Sequence, residues 1–277
     1  MMNVLHISLL QMDVTDNLEE NLDRAGCYVQ QAKEAGADLA VLPEMFCCPY
    51  ENNAFVKYRQ KRGGQIWRRL SEMAAGNGLY LIGGSFPEED EKGRIFNSSF
   101  IFAPDGQEIG NHRKLHLFDI NVPGGQQFME SKTFTAGDSI TVLDTAFGKI
   151  GVAICFDIRF PELSRAMTLE GARAIIVPAA FNDTTGPAHW EVNFRSRAID
   201  NQIFIFGCAP ARNPDGPYFS YGNSIAVGPW GDVRGRLASE SGMLTIQVDL
   251  NEIETVRERL PLLSSLRRDL YFVGKKE

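Results

Sequence analysis

Three side chains capable of acid–base or nucleophilic chemistry stand at the ends of strand-like segments in this sequence. Glu44 follows LAVLP, Lys114 follows GNHR, and Cys155 ends the run KIGVAIC. In layered α/β folds, catalytic groups lie at the carboxyl ends of strands. A carboxylate there could act as a general base, a lysine could stabilise an oxyanion, and a thiolate could attack a carbonyl carbon. The three residues together therefore predict nucleophilic catalysis by Cys155.

Each of the three residues also has an ordinary structural interpretation. Glu44 alone is typical of a helix N-cap or a surface acid, Lys114 of a surface lysine, and Cys155 of a small buried hydrophobe. The surroundings of Cys155 favour catalysis, because the strand stops there and a polar stretch and a helix follow. A thiol at such a turn, near an acid and a lysine, could be ionised and exposed.

A cysteine enzyme could instead use a histidine as its base. The sequence has four histidines. His6 lies in the predicted first strand and is expected in the core, His112 and His116 flank the candidate lysine, and His189 is expected to close a helix start. None has the local signature of papain-type enzymes, but spacing along the chain leaves a Cys–His pair open.

The elements that must position these residues alternate between strand-like and helix-like patterns, which predicts one layered α/β domain. Helices are predicted at 17–35, 65–76, 161–170, 188–200 and 251–259. Strands are predicted at 3–10, 38–43, 79–84, 95–103, 107–113, 149–155, 173–178, 202–208, 217–228 and 243–249. Hairpin turns such as Pro-Asp-Gly at 104–106 predict mixed sheets, packed together with helices outside.

Composition excludes several classes of protein. The 277 residues carry a formal net charge of -7, and the short basic pairs do not form the basic face that nucleic-acid binding requires. No stretch approaches the roughly 18 apolar residues of a membrane span, and the N-terminus lacks the cationic region of a signal peptide. The five cysteines are odd in number and lack CxxC spacing, so neither disulfides nor a zinc site is predicted, and a cytoplasmic location is expected.

The three motifs occur in the order VLPEMF, HRKLHLF and GVAICFDIRFPE, and in this order they resemble the nitrilase superfamily of carbon–nitrogen hydrolases. The resemblance extends to SLRRDLY at 265–271. It favours the omega-amidase branch through HLFDI, ESKT and FNDTT, whereas GPAHWE and RRDLY are shared with the deaminated-glutathione amidase branch.

The resemblance implies a four-layer αββα sandwich that forms a single domain over residues 1–277. It also implies a homodimer or higher homo-oligomer, in which a C-terminal segment at about 260–277 crosses the interface. Glu130 matches a second glutamate that positions the lysine and the substrate in this family. The backbone N–H of Phe156 is expected to help stabilise the oxyanion. No metal or organic cofactor is expected in this chemistry.

The implied activity is hydrolysis of small dicarboxylate monoamides, such as alpha-ketoglutaramate and alpha-ketosuccinamate, through a cysteine thioester. Alternatives are deaminated-glutathione amidase, another small-amide or nitrile hydrolase of the superfamily, and a non-catalytic binding protein that retains the fold. The size of the substrate pocket should distinguish the two amidase branches, because a tripeptide-like substrate needs a longer groove.

The carboxylate of such a substrate needs a cationic or hydrogen-bonding anchor. The sequence does not choose among the candidates, which are Arg159, Arg195, Arg197, Tyr50, Thr184 and Thr185. Arg159 could equally pair with Glu162 or another acid. Phe118 and Phe181 could wall a narrow pocket or belong to the core, and Cys47 and Cys48 are interpreted as packing residues.

Overall fold

The structure is a computed structural model that describes residues 2–122, 127–214, 216 and 218–274. Its strands, numbered in chain order, are β1 (Val4–Gln11), β2 (Leu39–Val41), β3 (Tyr80–Ile82), β4 (Phe86–Glu89), β5 (Ile95–Phe102), β6 (Glu108–Arg113), β7 (Asp119–Asn121), β8 (Gln127–Met129), β9 (Thr141–Thr145), β10 (Gly148–Val152), β11 (Ala174–Pro178), β12 (Phe204–Cys208), β13 (Ile225–Val227), β14 (Val233–Arg236) and β15 (Gly242–Asp249). Its α-helices are α1 (Leu18–Glu34), α2 (Asn52–Tyr58), α3 (Gln65–Asn77), α4 (Pro161–Leu169), α5 (Gly186–Asn201) and α6 (Glu252–Arg259).

Two sheets form the centre of the molecule. The first has seven strands in the order β15-β1-β2-β3-β5-β4, and β6 pairs with β5 off that path. The second has six strands in the order β14-β13-β12-β11-β10-β9. In both sheets three strands run parallel, β1-β2-β3 and β10-β11-β12, and the flanking strands pair antiparallel. Both sheets are therefore mixed, as predicted.

Apolar side chains form three cores that separate four layers. The core between the sheets joins Ile7 of β1 to Ile176 of β11 and Phe206 of β12. Successive side chains of a strand point to opposite faces, so Ile175 and Val177 on the other face of β11 meet α4 and α5 instead. On the outer face of the first sheet, α1 and α3 complete the third core. The predicted four-layer αββα sandwich is confirmed.

The helices begin and end where local chemistry requires. Asn17 caps α1 by accepting the N–H of Glu20, and Pro161 starts α4, where its missing N–H costs no helical hydrogen bond. Gly78 ends α3 in the left-handed conformation, with φ of 59°. Within the described part of the chain, no helix combines the length and apolar character needed to cross a bilayer.

The differences from the predicted elements lie in short or irregular segments. The sequence patterns missed α2, β4, β7, β8, β9 and β14. The strand predicted at 217–228 is reduced to β13, because Gly222 and Asn223 have φ of 66° and 61°, which a strand cannot accommodate. Pro217, like Met1 and residues 275–277 of the predicted domain, lies outside the described residues.

Candidate active site

The three candidate catalytic residues converge where strands of both sheets end. Glu44 follows β2 and Lys114 follows β6 in the first sheet, whereas Cys155 follows β10 in the second. Their exposed fractions are 1%, 1% and 4%. The charges of Glu44 and Lys114 both act on the Cys155 thiol. The fold therefore gathers into one buried cluster three residues that are far apart in the sequence.

Lys114 lies between two buried carboxylates. Its Nζ is 2.8 Å from Oε1 of Glu44 and 2.9 Å from Oε1 of Glu130. The other oxygen of Glu130 accepts the backbone N–H of Phe118 at 2.6 Å, which fixes the carboxylate. Burial alone lowers the pKa of Lys114, but the charges of Glu130 and Glu44 outweigh burial and raise it. Lys114 is therefore a permanent cation, and Glu130 lies where it can orient the ammonium group.

The two oxygens of Glu44 have different surroundings. Oε1 accepts hydrogen bonds from Lys114, from Nδ2 of Asn97 at 2.8 Å and from the hydroxyl of Tyr50 at 3.2 Å. Oε2 is buried and has no hydrogen-bond partner among the described residues. Burial raises the pKa of Glu44, and Lys114 opposes that effect. Oε1 thus holds the side chain in place while Oε2 stays available to accept a proton.

Cys155 occupies a strained turn between β10 and α4. Its φ is 46°, a left-handed value that is uncommon for a residue with a side chain, and it begins a short 3₁₀ helix, Cys155–Arg159. The backbone N–H of Ala180 donates a hydrogen bond to Sγ of Cys155, with an N to Sγ distance of 3.4 Å. Burial, and then the charge of Glu44, raise the pKa of the thiol well above its usual value. The resting thiol is protonated, so attack on a carbonyl requires a base.

The histidines do not supply that base. His112 and His116 both contact the carboxylate of Asp157, and His189 contacts Arg159. The predicted core position of His6 is wrong: its side chain is 40% exposed and pairs with an acid at the start of β2. No described hydrogen bond joins a histidine to the candidate nucleophile, so the geometry favours a carboxylate base over a Cys–His pair.

An open cavity of about 440 Å³ leads to Glu44. Tyr50 and Tyr218 line it with ring centroids 4.6 Å apart, and Cys48 lines it as well, whereas Cys47 packs in the core beside it. The hydroxyl of Tyr50 already donates to Glu130 at 2.7 Å and to Glu44, so Tyr50 is placed to hold the carboxylates.

Three predicted aromatic residues, Phe118, Phe156 and Phe181, do not line this cavity. Phe156 follows Cys155 directly, and its ring packs edge-on against Phe118 at 5.3 Å. Phe181 is buried against Trp190 at 5.0 Å. Sequence reasoning missed Asn97, Ala180 and Tyr218, which contact the candidate residues or line the cavity. None of the three carries a sequence signal, because ordinary amide, backbone and phenol groups acquire their roles only through the fold.

The candidate anchors for a substrate carboxylate differ in whether they already have hydrogen-bond partners in the structure. Arg195 donates to the Gly231 carbonyl, and Arg197 donates to the carbonyls of Ile158 and Arg159, so both guanidinium groups have structural partners. Thr184 is exposed, and the hydroxyl of Thr185 donates to Asn182. Neither threonine contacts the candidate nucleophile in the described structure.

Arg159 differs from these candidates. Its guanidinium lies 4.4 Å from the ring centroid of Phe181, and Nη1 is 2.9 Å from Nδ1 of His189. Within the described part of the chain Nε is buried without a partner, and Arg159 makes no ion pair with Glu162. Burial lowers the pKa of Arg159, whereas the negative charge that Cys155 carries when it is ionised acts in the opposite direction. Among the described residues, no carboxylate forms an ion pair with this cation near Cys155.

The sequence profile of the carbon–nitrogen hydrolases matches residues 6–258. The chain belongs to the carbon–nitrogen hydrolase family. This match confirms the predicted family and the prediction of an enzyme that hydrolyses C–N bonds. The chain is 43% identical over 271 residues to the omega-amidase NIT2 of Xenopus tropicalis, covering 98% of each sequence. It is 40% identical over 276 residues to the omega-amidase NIT2 of Homo sapiens, covering 100% of each.

Solved structures of the nitrilase superfamily share the fold of this carbon–nitrogen hydrolase. Saccharomyces cerevisiae Nit3 superposes with a TM-score of 0.89 and 37% identity, covering 96% of this chain and 97% of that one. The Caenorhabditis elegans NitFhit protein superposes with a TM-score of 0.91 and 31% identity, covering 100% of this chain and 68% of that one. The sandwich is therefore the fold of the superfamily.

Replacing Lys114 by methionine should destabilise this carbon–nitrogen hydrolase by about 3–5 kcal/mol, because two buried carboxylates lose the cation between them. Urea denaturation at neutral pH measures the change in the free energy of unfolding. Lys61→Met is the matched control, since it breaks an exposed ion pair with Glu91 and should cost less than about 1 kcal/mol. Equal stability losses in the two variants would contradict this prediction.

Proposed function

We propose that this carbon–nitrogen hydrolase is an omega-amidase that converts small dicarboxylate monoamides, such as alpha-ketoglutaramate and alpha-ketosuccinamate, to the acid and ammonia. The observation that carries the proposal is the unneutralised Arg159 cation beside a cluster of nucleophile, base and lysine. When the amide carbonyl of such a substrate lies against Cys155, the carboxylate at its other end can approach the positively charged guanidinium of Arg159. The identity to omega-amidases over the full chain supports the same activity.

In the proposed first half-reaction, Oε2 of Glu44 accepts the proton of Cys155 as Sγ attacks the amide carbon. A C–S bond forms, and the carbonyl π electrons move to oxygen. Lys114 and the backbone N–H of Phe156 stabilise that oxyanion, and one such donor is typically worth about 2.7–4 kcal/mol. The tetrahedral intermediate collapses, the C–N bond breaks, and Glu44 gives its proton to the departing ammonia.

In the second half-reaction a water molecule attacks the thioester. Glu44 accepts a proton from the water, the same oxyanion site is used again, and the C–S bond breaks. The thiolate recovers the proton from Glu44, which restores the resting pair. Glu130 and Tyr50 act by holding Lys114 and Glu44 at fixed positions, through the 2.9 Å and 3.2 Å contacts described above. Phe118 and Phe181 shape the walls around the substrate.

The test is ammonia release from alpha-ketoglutaramate, with succinamate as a stable analogue. Deaminated glutathione, an uncharged short amide and a short nitrile run in parallel. The proposal predicts that kcat/KM is highest for the dicarboxylate monoamides. Preferential turnover of deaminated glutathione would assign the chain to the other amidase branch, and preferential turnover of the nitrile would make it a nitrile hydrolase. Absence of turnover with every compound would reject the omega-amidase assignment and direct the search to other amides, carbamoyl compounds or nitriles.

Replacing Arg159 by methionine should raise KM for alpha-ketoglutaramate roughly 10- to 100-fold, the range expected when a charged hydrogen bond is lost. The reason is that the substrate carboxylate loses its counter-ion while the nucleophile stays intact. KM for the uncharged amide should change little. Arg195→Met is the matched control, because Arg195 donates to Gly231 at 2.8 Å on the outer side of α5. An unchanged KM in R159M would reject Arg159 as the anchor.

We propose further that the enzyme works as a cytoplasmic homodimer. The C-terminal segment supports a dimer, because Leu270 and Phe272 are 70% and 78% exposed and would be covered by a partner subunit. The five free cysteines fit a reducing compartment. Light scattering on the full chain and on a Leu270→Ser, Phe272→Ser variant tests the dimer, since the double variant should be monomeric.

A further inference from the structure

A buried carboxylate that the proposed mechanism does not use lies two residues beyond Cys155. Asp157 is fully buried. Its Oδ2 accepts the N–H of Ile154 at 3.0 Å and lies 3.0 Å from Nε2 of His112. Its Oδ1 accepts the N–H of His116 at 3.0 Å and lies 2.7 Å from Nδ1 of the same residue. All four contacts come from just two segments of the chain.

Those two segments carry the candidate nucleophile and the candidate oxyanion-stabilising lysine. Ile154 immediately precedes Cys155 in the second sheet, whereas His112 and His116 stand two residues to either side of Lys114 in the first. The carboxylate of Asp157 therefore connects the ends of β10 and β6 across the boundary between the sheets.

The other backbone contacts of Lys114 do not make this connection. Its N–H donates to the Asn97 carbonyl at 2.9 Å, and its carbonyl accepts the Gly137 N–H at 2.9 Å. Asn97 belongs to β5 of the first sheet, and Gly137 belongs to the segment before β9. The first bond fixes Lys114 relative to its own sheet, and the second joins it to the segment that leads into β9, but neither bond contacts the turn that carries Cys155.

Asp157 is suited to this link because it is an acceptor only. Burial raises its pKa, but hydrogen bonds with His112 and His116 outweigh burial and hold the pKa below the usual value. The ionised group can accept all four hydrogen bonds. Each oxygen of Asp157 accepts one main-chain N–H, and a main-chain N–H can only donate. If asparagine replaced Asp157, its amide NH₂ would face one of these main-chain N–H groups, and that hydrogen bond would be lost.

We propose that Asp157 is a positioning residue that sets the separation of the Lys114 ammonium and the Cys155 thiol by tying together the two strand ends. The inference rests on the proposed catalytic roles of those two residues. Asp157 touches neither the substrate nor the reacting atoms. Its removal should therefore lower the rate of the chemical step and leave substrate binding nearly unchanged, and a displacement of about 1 Å can cost about 100-fold in rate.

The first test is Asp157→Asn. We expect kcat for alpha-ketoglutaramate to fall roughly 100-fold while KM stays within about 3-fold of wild type. The second readout is alkylation of the Cys155 peptide by iodoacetamide, followed by mass spectrometry across a pH series. The positive charge of Lys114 favours the thiolate, so a displaced Lys114 should shift the alkylation profile to higher pH. General loss of stability would act in the opposite direction, because it removes the burial that raises the pKa of the thiol and so shifts the profile to lower pH.

A milder variant keeps the inference testable if D157N does not fold. His116→Phe removes the bond from Nδ1 to Asp157 but retains the stacking on Phe160, where the ring centroids are 3.6 Å apart. We expect kcat to fall roughly 10-fold, the alkylation profile to shift in the same direction, and the melting temperature to change little. Asp38→Asn is the matched control, because it disrupts a histidine–aspartate pair, with His6, at the opposite end of β2.

The outcomes separate the inference from the proposed function. Wild-type kcat and a wild-type alkylation profile in H116F, or in a folded D157N, would overturn the positioning role. A lower kcat with an unshifted profile would overturn it too, because the defect would then be merely structural. If the wild-type enzyme hydrolyses none of the amides, the proposed function fails, yet the alkylation profiles still decide the inference.

Discussion

Replacement of Cys155 by alanine should lower kcat for alpha-ketoglutaramate by roughly 10⁴-fold or more, the scale seen when a nucleophile is removed from a catalytic unit. Without Sγ no thioester can form, and water must attack the amide directly. Lys114 would still polarise the carbonyl, so substrate binding should persist. Ammonia release under saturating substrate measures the loss. Rapid-quench mass spectrometry should show the acyl adduct on the wild-type enzyme and not on the variant.

Cys208→Ala is the matched control for this experiment. Cys208 is also a fully buried thiol, and it contacts the Val41 carbonyl at 3.1 Å in the core between the sheets. Its loss should reduce stability and leave kcat near the wild-type value. Near wild-type activity in C155A, or an acyl adduct on a different cysteine, would eliminate Cys155 as the nucleophile.

Replacement of Glu44 by glutamine should lower kcat roughly 10²- to 10⁴-fold, the usual contribution of a positioned acid–base group. Glutamine keeps the shape of the side chain and can still accept hydrogen bonds from Lys114 and Asn97. It cannot take the proton of Cys155, whose raised pKa makes that proton difficult to remove. Steady-state rates and the size of the pre-steady-state ammonia burst measure the effect on the first half-reaction.

The pH profile provides a second measurement of the role of Glu44. A base must be ionised, and burial raises the pKa of Glu44 above its ordinary value of 4.5. Wild-type activity should therefore fall as the pH drops through that raised pKa, and E44Q should lose this acidic limb. Glu88→Gln is the matched control: Glu88 is buried and paired with Arg113 at 2.6 Å outside the site. A retained acidic limb in E44Q would assign it to another group.

The fold and the family could be predicted because apolar strands, glycine and proline turns and reactive side chains occur in a regular sequence. The parallel strand β11 is buried on both faces, so it forms a continuous apolar run. Helices α1 and α4 begin at an asparagine and a proline that are readable without a structure. The roles of Glu44, Lys114 and Cys155 stay predictions until they are tested.

The rest of the site could not be predicted, because its interactions join distant parts of the chain. Asn97 and Glu44 are 53 positions apart, and Asp157 and His116 are 41 positions apart. The choice of Arg159 over Arg195 and Arg197 depends on which guanidinium groups already bind carbonyls. Edge strands such as β4 and β14 were missed because four-residue segments are too short to show a period.

Because the candidate catalytic residues follow strands of two different sheets, activity depends on how the two sheets are packed together. Glu44 and Lys114 follow strands of one sheet, and Cys155 follows a strand of the other. Neither half of the chain contains all three candidate residues, so under the proposed mechanism an isolated half would be inert even if it folded. A small displacement of one sheet relative to the other would abolish activity even if the hydrogen bonds within each sheet were unchanged. The rate of the enzyme therefore reports sensitively on how the two sheets pack against each other.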